Sequence, residues 1–192
     1  MDTQRNDEFL EEIKKRLTKA RFYHSLNVAD EAKKLAEFYG ADKEKAFTAG
    51  LVHDIMKDTD KNEQLRILEK NGISLTNTEK DNPKLWHAIS GAVFLEKELN
   101  VTDKEIISAV RFHTTGKENM TLLEKIIYIA DYIAADRNYQ GIEIMREKAY
   151  KSLELAMLEG LSFTITYNIK KAVSIHEDSI KCYNEIVREG KK

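Results

Sequence analysis

The sequence lacks the features that mark disulfide-bonded, secreted and membrane-spanning proteins. It contains one cysteine, Cys182, so no disulfide can form within the chain, and nothing predicts an oxidising compartment. The opening residues "MDTQRNDEFLEEIKKRL" are charged, so no secretory signal is predicted. No run approaches the roughly 20 apolar residues of a membrane span. We therefore expect a soluble, cytoplasmic protein.

An excess of charge of one sign is also missing. Lysine and arginine number 31 and aspartate and glutamate 33, which gives a formal net charge of −2. Such a balance argues against duplex nucleic acid as a partner. A small anionic ligand remains compatible, because it needs only a local cluster of cations.

Apolar residues recur at helical intervals, and the single proline and eight glycines leave long segments without helix breakers. Helix starts are predicted near Asp42, residue 61 and Asn82-Pro83, and at two capping boxes, Thr102 with Glu105 and Thr121 with Glu124. Two last helices are predicted, one over about 143–158 that ends near Gly160 and one over about 163–188. The β-branched "FTITY" at 163–167 is expected to be helical, since an isolated strand would have no partner. Residues 1–192 are thus predicted to form an all-α, single-domain bundle of about eight or nine helices.

Four of the five histidines lie at or beside apolar helical faces; the five are His24, His53, His87, His113 and His176. None of the first four forms the i, i+4 pair of a single-helix metal motif, so they can act together only by converging from separate helices. Asp131 interrupts "KIIYIADYIA", where a carboxylate is costly unless it is paired or bound to metal. This pattern predicts a histidine-carboxylate site for iron, manganese, cobalt or zinc. His176 is expected to be structural.

In this order, the residues resemble the signature of the HD-domain superfamily: His24, the His53-Asp54 doublet, His87, His113 and Asp131. The segments "RFYHSLNVA", "AGLVHDIMKD", "HTTG" and "LEKIIYIADYI" are more narrowly similar to the YqeK family. The resemblance covers about residues 20–140, the predicted metal-binding core, with C-terminal helices at about 143–188. Proteins of that family commonly have the sequence Glu-Pro-x-Arg after the aspartate that corresponds to Asp131. Here Ala134, Ala135, Asp136 and Arg137 retain only the arginine.

The resemblance implies a fold, a reaction and a set of ligands. YqeK-family proteins are bacterial hydrolases that cleave diadenosine tetraphosphate symmetrically to two ADP at a di-iron centre. The implied ligands of one ion are His24, His53, Asp54 and Asp131, and Asp54 bridges to a second ion held by His87 and His113. Two divalent ions are expected, iron first, with manganese, cobalt or zinc as alternatives. A hydroxide between them would attack phosphorus near the middle of the tetraphosphate.

Other residues near these ligands are candidates for contact with phosphate. Lys57 lies one helical turn after His53, Arg21 precedes His24 by three residues, and Arg137 follows Asp131 by six. The turn Thr114-Thr115-Gly116 offers hydroxyl and backbone donors to an anion, although it is equally typical of a helix end without a ligand. Asp54, Lys57 and Arg137 are the predicted catalytic residues. Trp86 is expected in the core.

Three alternative functions share these features. The first is hydrolysis of another nucleotide, such as a dNTP, a nucleoside monophosphate or an alarmone, because the metal ligands do not select the base. The second is oxygen activation by the di-iron pair, and the third is a nucleotide-binding regulator without catalysis. A homodimer is also compatible with the sequence.

Overall fold

The computed structural model describes residues 3–190, so residues 1–2 and 191–192 of the predicted domain lie outside the described range. Within residues 3–190 the chain forms eleven α-helices, one short 3₁₀ helix at Pro83–Leu85, and no strand. The helices are α1 (Thr3–Arg16), α2 (Lys19–Tyr39), α3 (Lys43–Val52), α4 (Lys61–Lys70), α5 (Asn77–Asp81), α6 (Trp86–Lys97), α7 (Lys104–Phe112), α8 (Leu122–Ile133), α9 (Ile142–Ala149), α10 (Leu153–Lys170) and α11 (Glu177–Glu189). The all-α prediction is confirmed, with more helices than the eight or nine expected. No helix in this range is both long and apolar enough to cross a membrane.

The helix starts follow local capping chemistry. Thr121 and Glu124 form the predicted capping box of α8, in which each side chain accepts a hydrogen bond from the other residue's backbone N–H. The predicted box at Thr102 is wrong by one residue. Asp103 caps α7 instead, because its carboxylate accepts from the backbone N–H groups of Glu105 and Ile106.

The two helices predicted at the C-terminal end are three in the structure. Ser152 interrupts the first predicted segment by capping α10, where its hydroxyl accepts from the N–H of Leu155. Ala172, with a φ of 51°, lies just after the end of α10, and α11 begins after His176. Gly160, predicted to end a helix, lies within α10. The segment 163–167 is helical, as predicted.

Close packing of α2 against α3 positions the first part of the site. A Cβ on Gly50 would lie 2.8 Å from the Cα of Ala29, so only glycine permits this approach of the two backbones. The apolar side of α8 packs into the same core, where Ile126, Ile127 and Ile129 are fully buried. These contacts bring helices that are distant in sequence to a shared interior.

Candidate metal centre

Five helical segments bring the six predicted ligands together. His24 lies in α2, His53-Asp54 directly after α3, His87 in α6, His113 directly after α7, and Asp131 in α8. The Nε2 of His24 is 2.9 Å from Asp131 Oδ1. The Nε2 atoms of His87 and His113 lie 3.1 and 3.4 Å from Asp54 Oδ1. The predicted convergence of four histidines and two aspartates is thus present, while metal ligation by them stays a prediction.

Each of the four imidazole rings is oriented through its Nδ1 atom. The Nδ1 atoms of His53, His87 and His113 lie 2.7 Å from the carbonyl oxygen of the residue three positions earlier. The Nδ1 of His24 lies 2.8 Å from a carboxylate oxygen of Asp136. Because a carbonyl or carboxylate oxygen can only accept, Nδ1 carries a hydrogen. The Nε2 atoms are therefore the ring atoms that face the centre of the cluster.

Two buried polar atoms at the centre have no hydrogen-bond partner, His53 Nε2 and Asp54 Oδ1. In addition, the Nε2 atoms of His87 and His113 face each other at 3.2 Å. Burial is the largest cause that lowers the pKa of His87, to about 4, so this ring is neutral at pH 7. Unpaired buried acceptors and facing electron pairs are costly unless a cation lies among them. The donor set therefore fits metal ions.

The two carboxylates of the cluster are ionised. Burial alone would raise the pKa of Asp54, but the adjacent His53 and the nearby His113 and His87 hold it well below its usual range. The pKa of Asp131 is likewise well below its usual range, because His24, His53 and Arg137 outweigh the effect of burial. Anionic oxygen beside neutral imidazole is the ligand combination that suits divalent transition ions.

Potential ligand atoms fall into two overlapping groups. In His24, His53 and Asp131, and again in His53, Asp54 and His113, one atom from each residue lies within 4.8 Å of the others. The first group is part of the set implied for one ion. The second joins residues from both implied sets, and His53 belongs to both groups.

The lone Cys182 is buried against Met120, and its Sγ is 3.8 Å from the methionine Sδ.

The three predicted phosphate-binding cations contact the cluster. Arg21 Nη1 donates to Asp54 Oδ2 at 2.9 Å, and Lys57 Nζ donates to His87 Nε2 at 3.2 Å. The Arg137 guanidinium donates from Nε to the Asp131 carbonyl at 2.8 Å and from Nη2 to the Asp131 carboxylate. Each of these three side chains is between 27% and 34% exposed, and they cover carboxylates that are 1% exposed at Asp54 and 20% exposed at Asp131.

The predicted polar turn divides into two parts. The Thr114 hydroxyl is buried without a partner, and Thr114 lines a cavity together with His113. Thr115 instead donates to the Gly116 carbonyl at 2.9 Å, and its own carbonyl accepts from Ser179 Oγ of α11 at 2.8 Å. Gly116 has a φ of 62° and packs against Cys182. Thr115 and Gly116 thus contact α11, whereas Thr114 faces the cavity, and substrate binding by all three residues stays a prediction.

One residue in contact with the cluster was missed by sequence reasoning. Asp136 accepts from His24 Nδ1 and, at 3.1 Å, from Asn27 Nδ2. It lies in the loop that departs from the family pattern, and a carboxylate directly before Arg137 was the only sequence signal. The contact joins positions 112 residues apart, so local spacing could not reveal it.

The residues expected to be structural lie in the packed interior. His176 caps α11 by accepting from the N–H of Asp178, and its Nε2 is 3.4 Å from Glu79 Oε1. Trp86 is buried, and its indole N–H donates to the Glu79 carbonyl at 2.6 Å. Neither side chain is within the two groups of potential metal ligands.

Two cavities adjoin the cluster. The larger, of about 460 Å³, has His113, Asp131 and Arg137 in its wall. The smaller, of about 220 Å³, is lined by residues that include Arg21, His24 and Arg137. The cluster is therefore accessible from two cavities, and the Arg137 guanidinium lines both of them.

Comparisons with known proteins agree with this architecture. The model of the HD domain family matches residues 21–136. The chain is 40% identical to the symmetrical bis(5'-nucleosyl)-tetraphosphatase of Halalkalibacterium halodurans, over 95% of this chain and 97% of that protein. It is 36% identical to the Bacillus subtilis protein of the same name, over 94% and 97% of the two chains. The crystal structure of a predicted HD superfamily hydrolase involved in NAD metabolism from Clostridium acetobutylicum superposes with a TM-score of 0.93, at 36% identity, over 96% and 97% of the chains.

These matches confirm the resemblance predicted from the sequence. The HD domain implies binding of divalent metal, and the described histidine and aspartate groups are able to hold it. The matched relatives are hydrolases by name and are covered over nearly their whole length. The chain belongs to the HD domain family and, within it, to the family of the symmetrical bis(5'-nucleosyl)-tetraphosphatases.

Proposed function

We propose that this protein is a metal-dependent hydrolase that cleaves diadenosine tetraphosphate symmetrically to two ADP. Similarity to relatives named for that reaction supports the substrate. The observation that carries the chemistry is the convergence of four imidazole Nε2 atoms and two ionised carboxylates in one cluster. Such a cluster is costly for a folded protein unless it binds cations.

Two divalent ions are the proposed cofactor, with iron first and manganese, cobalt or zinc as alternatives. His24, His53, Asp54 and Asp131 are proposed for one ion, and Asp54, His87 and His113 for the other. The overlap of the two ligand groups at His53 supports close spacing of the ions. When bound, such ions supply Lewis-acid charge and lower the pKa of water at the site.

The chain's own cations are proposed to hold the polyphosphate. Arg21, Lys57 and Arg137 already lie at the cluster, and each is partly open to solvent. Arginine presents a planar fork that matches phosphate oxygens, whereas lysine acts as a compact point charge. A ligand bond from His87 Nε2 would use the electron pair that Lys57 now contacts, which frees the ammonium for a phosphate oxygen.

Thr114 and Asp136 have separate proposed roles. The unpartnered Thr114 hydroxyl is available to donate to a phosphate oxygen at the cavity wall. Asp136 holds the His24 ring, and thereby directs its Nε2 toward the cluster. Hydrolysis of a different nucleotide remains the second candidate, because the similar Clostridium acetobutylicum protein is described by a different metabolic role.

A substrate panel tests the proposal. Protein loaded with Fe²⁺ without air would be given diadenosine tetraphosphate, a dNTP, a nucleoside monophosphate and guanosine tetraphosphate in separate reactions. We expect the highest kcat/KM with diadenosine tetraphosphate, no dependence on dioxygen, and loss of turnover after chelation. A higher kcat/KM for another nucleotide would favour the second candidate, and turnover that requires dioxygen would contradict hydrolysis.

A further inference from the structure

The larger cavity combines ionic and apolar residues in its wall. It shares Asp131 and Arg137 with the metal cluster. Ile144 and Phe163 also line it, and they are 59% and 67% exposed. Exposed large apolar side chains around a recess mark a binding site more often than chance exposure. The cavity volume of about 460 Å³ lies within the range of small-molecule sites.

Aromatic side chains in this cavity are held in place by the fold. The Tyr132 hydroxyl and the Thr164 hydroxyl are hydrogen-bonded at 2.7 Å, and the Tyr132 ring lies 5.3 Å from that of Tyr128, centroid to centroid. Tyr139 and Phe163 complete the aromatic part of the wall. A ring that the fold anchors and an exposed ring in the same wall provide surfaces on which a nucleobase can stack.

The chemical groups in the wall of the cavity match one class of ligand. A nucleoside 5'-phosphate has a flat aromatic base at one end and an anion at the other. The rings of Tyr139 and Phe163 suit the base, and the Gln140 amide offers both a donor and an acceptor to its edge. Arg137 lies where the anionic end meets the cluster.

The smaller cavity lacks these features. Its wall includes Arg21, Arg137 and the carboxylates of Asp58 and Asp136, and its aromatic side chain is the imidazole of His24, which contacts Asp131 and Asp136. The larger cavity also has two carboxylates, Asp131 and Glu159, so the difference lies in its tyrosine and phenylalanine rings, which the smaller cavity does not offer to a base. The two cavities beside the cluster are thus chemically unequal, although the proposed substrate has two identical halves.

We infer that the larger cavity binds the nucleoside of one ADP half, and that cleavage does not require the second nucleoside. This inference rests on the proposed function for the reaction. It adds an activity: adenosine 5'-tetraphosphate should be hydrolysed to ADP and pyrophosphate. Water adds to one of the two central phosphorus atoms, the bridging P–O bond between them breaks, and the bridging oxygen leaves with the other fragment. One water is consumed, so the atoms balance without another reactant.

Equilibrium binding tests the nucleoside site independently of turnover. ADP and pyrophosphate would be titrated separately into the metal-loaded wild type and Phe163→Ala. We expect the variant to bind ADP roughly tenfold more weakly, within what base stacking on one aromatic ring contributes, and to bind pyrophosphate as the wild type does. Phe38→Ala is the matched control, because Phe38 is 56% exposed but packs against Tyr39 and Tyr150 instead of lining the cavity.

The outcomes separate this inference from the proposed function. Unchanged ADP affinity in Phe163→Ala, or an equal loss in Phe38→Ala, would overturn the nucleoside site. Selective loss in Phe163→Ala would support the site even if diadenosine tetraphosphate were not cleaved, and then only the proposed function would fail. Cleavage of adenosine 5'-tetraphosphate with a kcat/KM within about tenfold of that for diadenosine tetraphosphate would support one-sided recognition. Its resistance, with diadenosine tetraphosphate cleaved, would overturn it.

Discussion

The Nε2 atoms of His87 and His113 lie 3.2 Å apart, although the Nδ1 of each ring is hydrogen-bonded to a backbone carbonyl. Both Nε2 atoms therefore point into the cluster, and Lys57 contacts only the first of them, that of His87, which is neutral at pH 7. Asp54 lies within 3.4 Å of both Nε2 atoms and is itself ionised. This close approach of two Nε2 atoms and a carboxylate is unfavourable in the protein alone and favourable around bound cations. It is therefore the strongest structural evidence for a metal site.

Removing the central carboxylate should uncouple the two proposed ions. Asp54→Asn keeps the shape of the side chain and removes its charge, so we expect at most one tightly bound metal ion per chain. Turnover should fall roughly a thousandfold or more, because groups that act as one unit fail together. Metal content is measured by elemental analysis after gel filtration, beside kcat. Two retained ions with wild-type turnover would show that Asp54 is not a bridging ligand.

His176 provides a matched control for that experiment. It is also a buried histidine near a carboxylate, Glu79, but it caps α11 away from the cluster. His176→Ala should lower stability by about 0.5–2 kcal/mol through loss of the cap and leave metal content unchanged. Loss of metal from a folded His176→Ala protein would mean that the wrong histidines were assigned to the site.

Asp136 should act by positioning His24. Asp136→Ala removes the acceptor for His24 Nδ1, and we expect about 10- to 100-fold weaker binding of one metal ion. Asp136→Asn retains an oxygen acceptor and should lose less. The readout is a Co²⁺ titration followed by optical absorption, with Asp30→Ala, on the exposed surface of α2, as the control. Equal affinity in all three variants would remove Asp136 from the account.

The packing of α2 on α3 should depend on a glycine. Gly50→Ala would place a Cβ 2.8 Å from Ala29 Cα, and we expect a loss of about 1–3 kcal/mol in the free energy of unfolding. Gly91→Ala in α6 is the control, since its nearest neighbour, Val110 Cγ1, would be 3.5 Å away. That variant should be neutral or gain up to about 1 kcal/mol. Denaturant unfolding measures both, and equal effects would contradict the close-approach argument.

Glu79 should contribute to stability in a pH-dependent way. Burial alone would raise its pKa, but the Thr76 N–H and the Arg111 guanidinium hold the pKa below 4.5. A depressed folded pKa means that the stabilisation is present above the unfolded value and is lost as pH falls through the folded one. Glu79→Gln should therefore cost about 1–3 kcal/mol at pH 7, and the deficit should shrink below about pH 4.5. Denaturation at several pH values measures it, and a constant deficit would contradict the ionised pair.

The sequence was sufficient for features that depend on local pattern. Helical spacing, the Thr121 capping box and five separated ligand segments predicted the all-α fold and the convergent cluster. Helix boundaries at which two neighbouring residues both suit the N-cap were harder to predict from the sequence. Thr102 and Asp103 both suit a helix start, and only the backbone geometry selects the aspartate.

Features that depend on tertiary packing were beyond the sequence. The Asp136–His24 contact joins a loop to a helix 112 residues earlier. The same holds for Thr115 and Gly116, since the polar turn itself does not reveal that these residues contact α11. The cavity containing Phe163 combines residues of α8, α9 and α10 with residues that follow α7 and α8, and Tyr139 and Phe163 in its wall belong to no motif.

Analysis of the reaction products is the decisive test of symmetric hydrolysis. Protein loaded with Fe²⁺ without air would be given diadenosine tetraphosphate, and the nucleotides would be separated at early times and quantified. We expect ADP as the only nucleotide product, two per substrate consumed. ATP and AMP in equal amounts would place the attack at the wrong phosphorus, and the absence of turnover with two ions bound would contradict the proposed reaction.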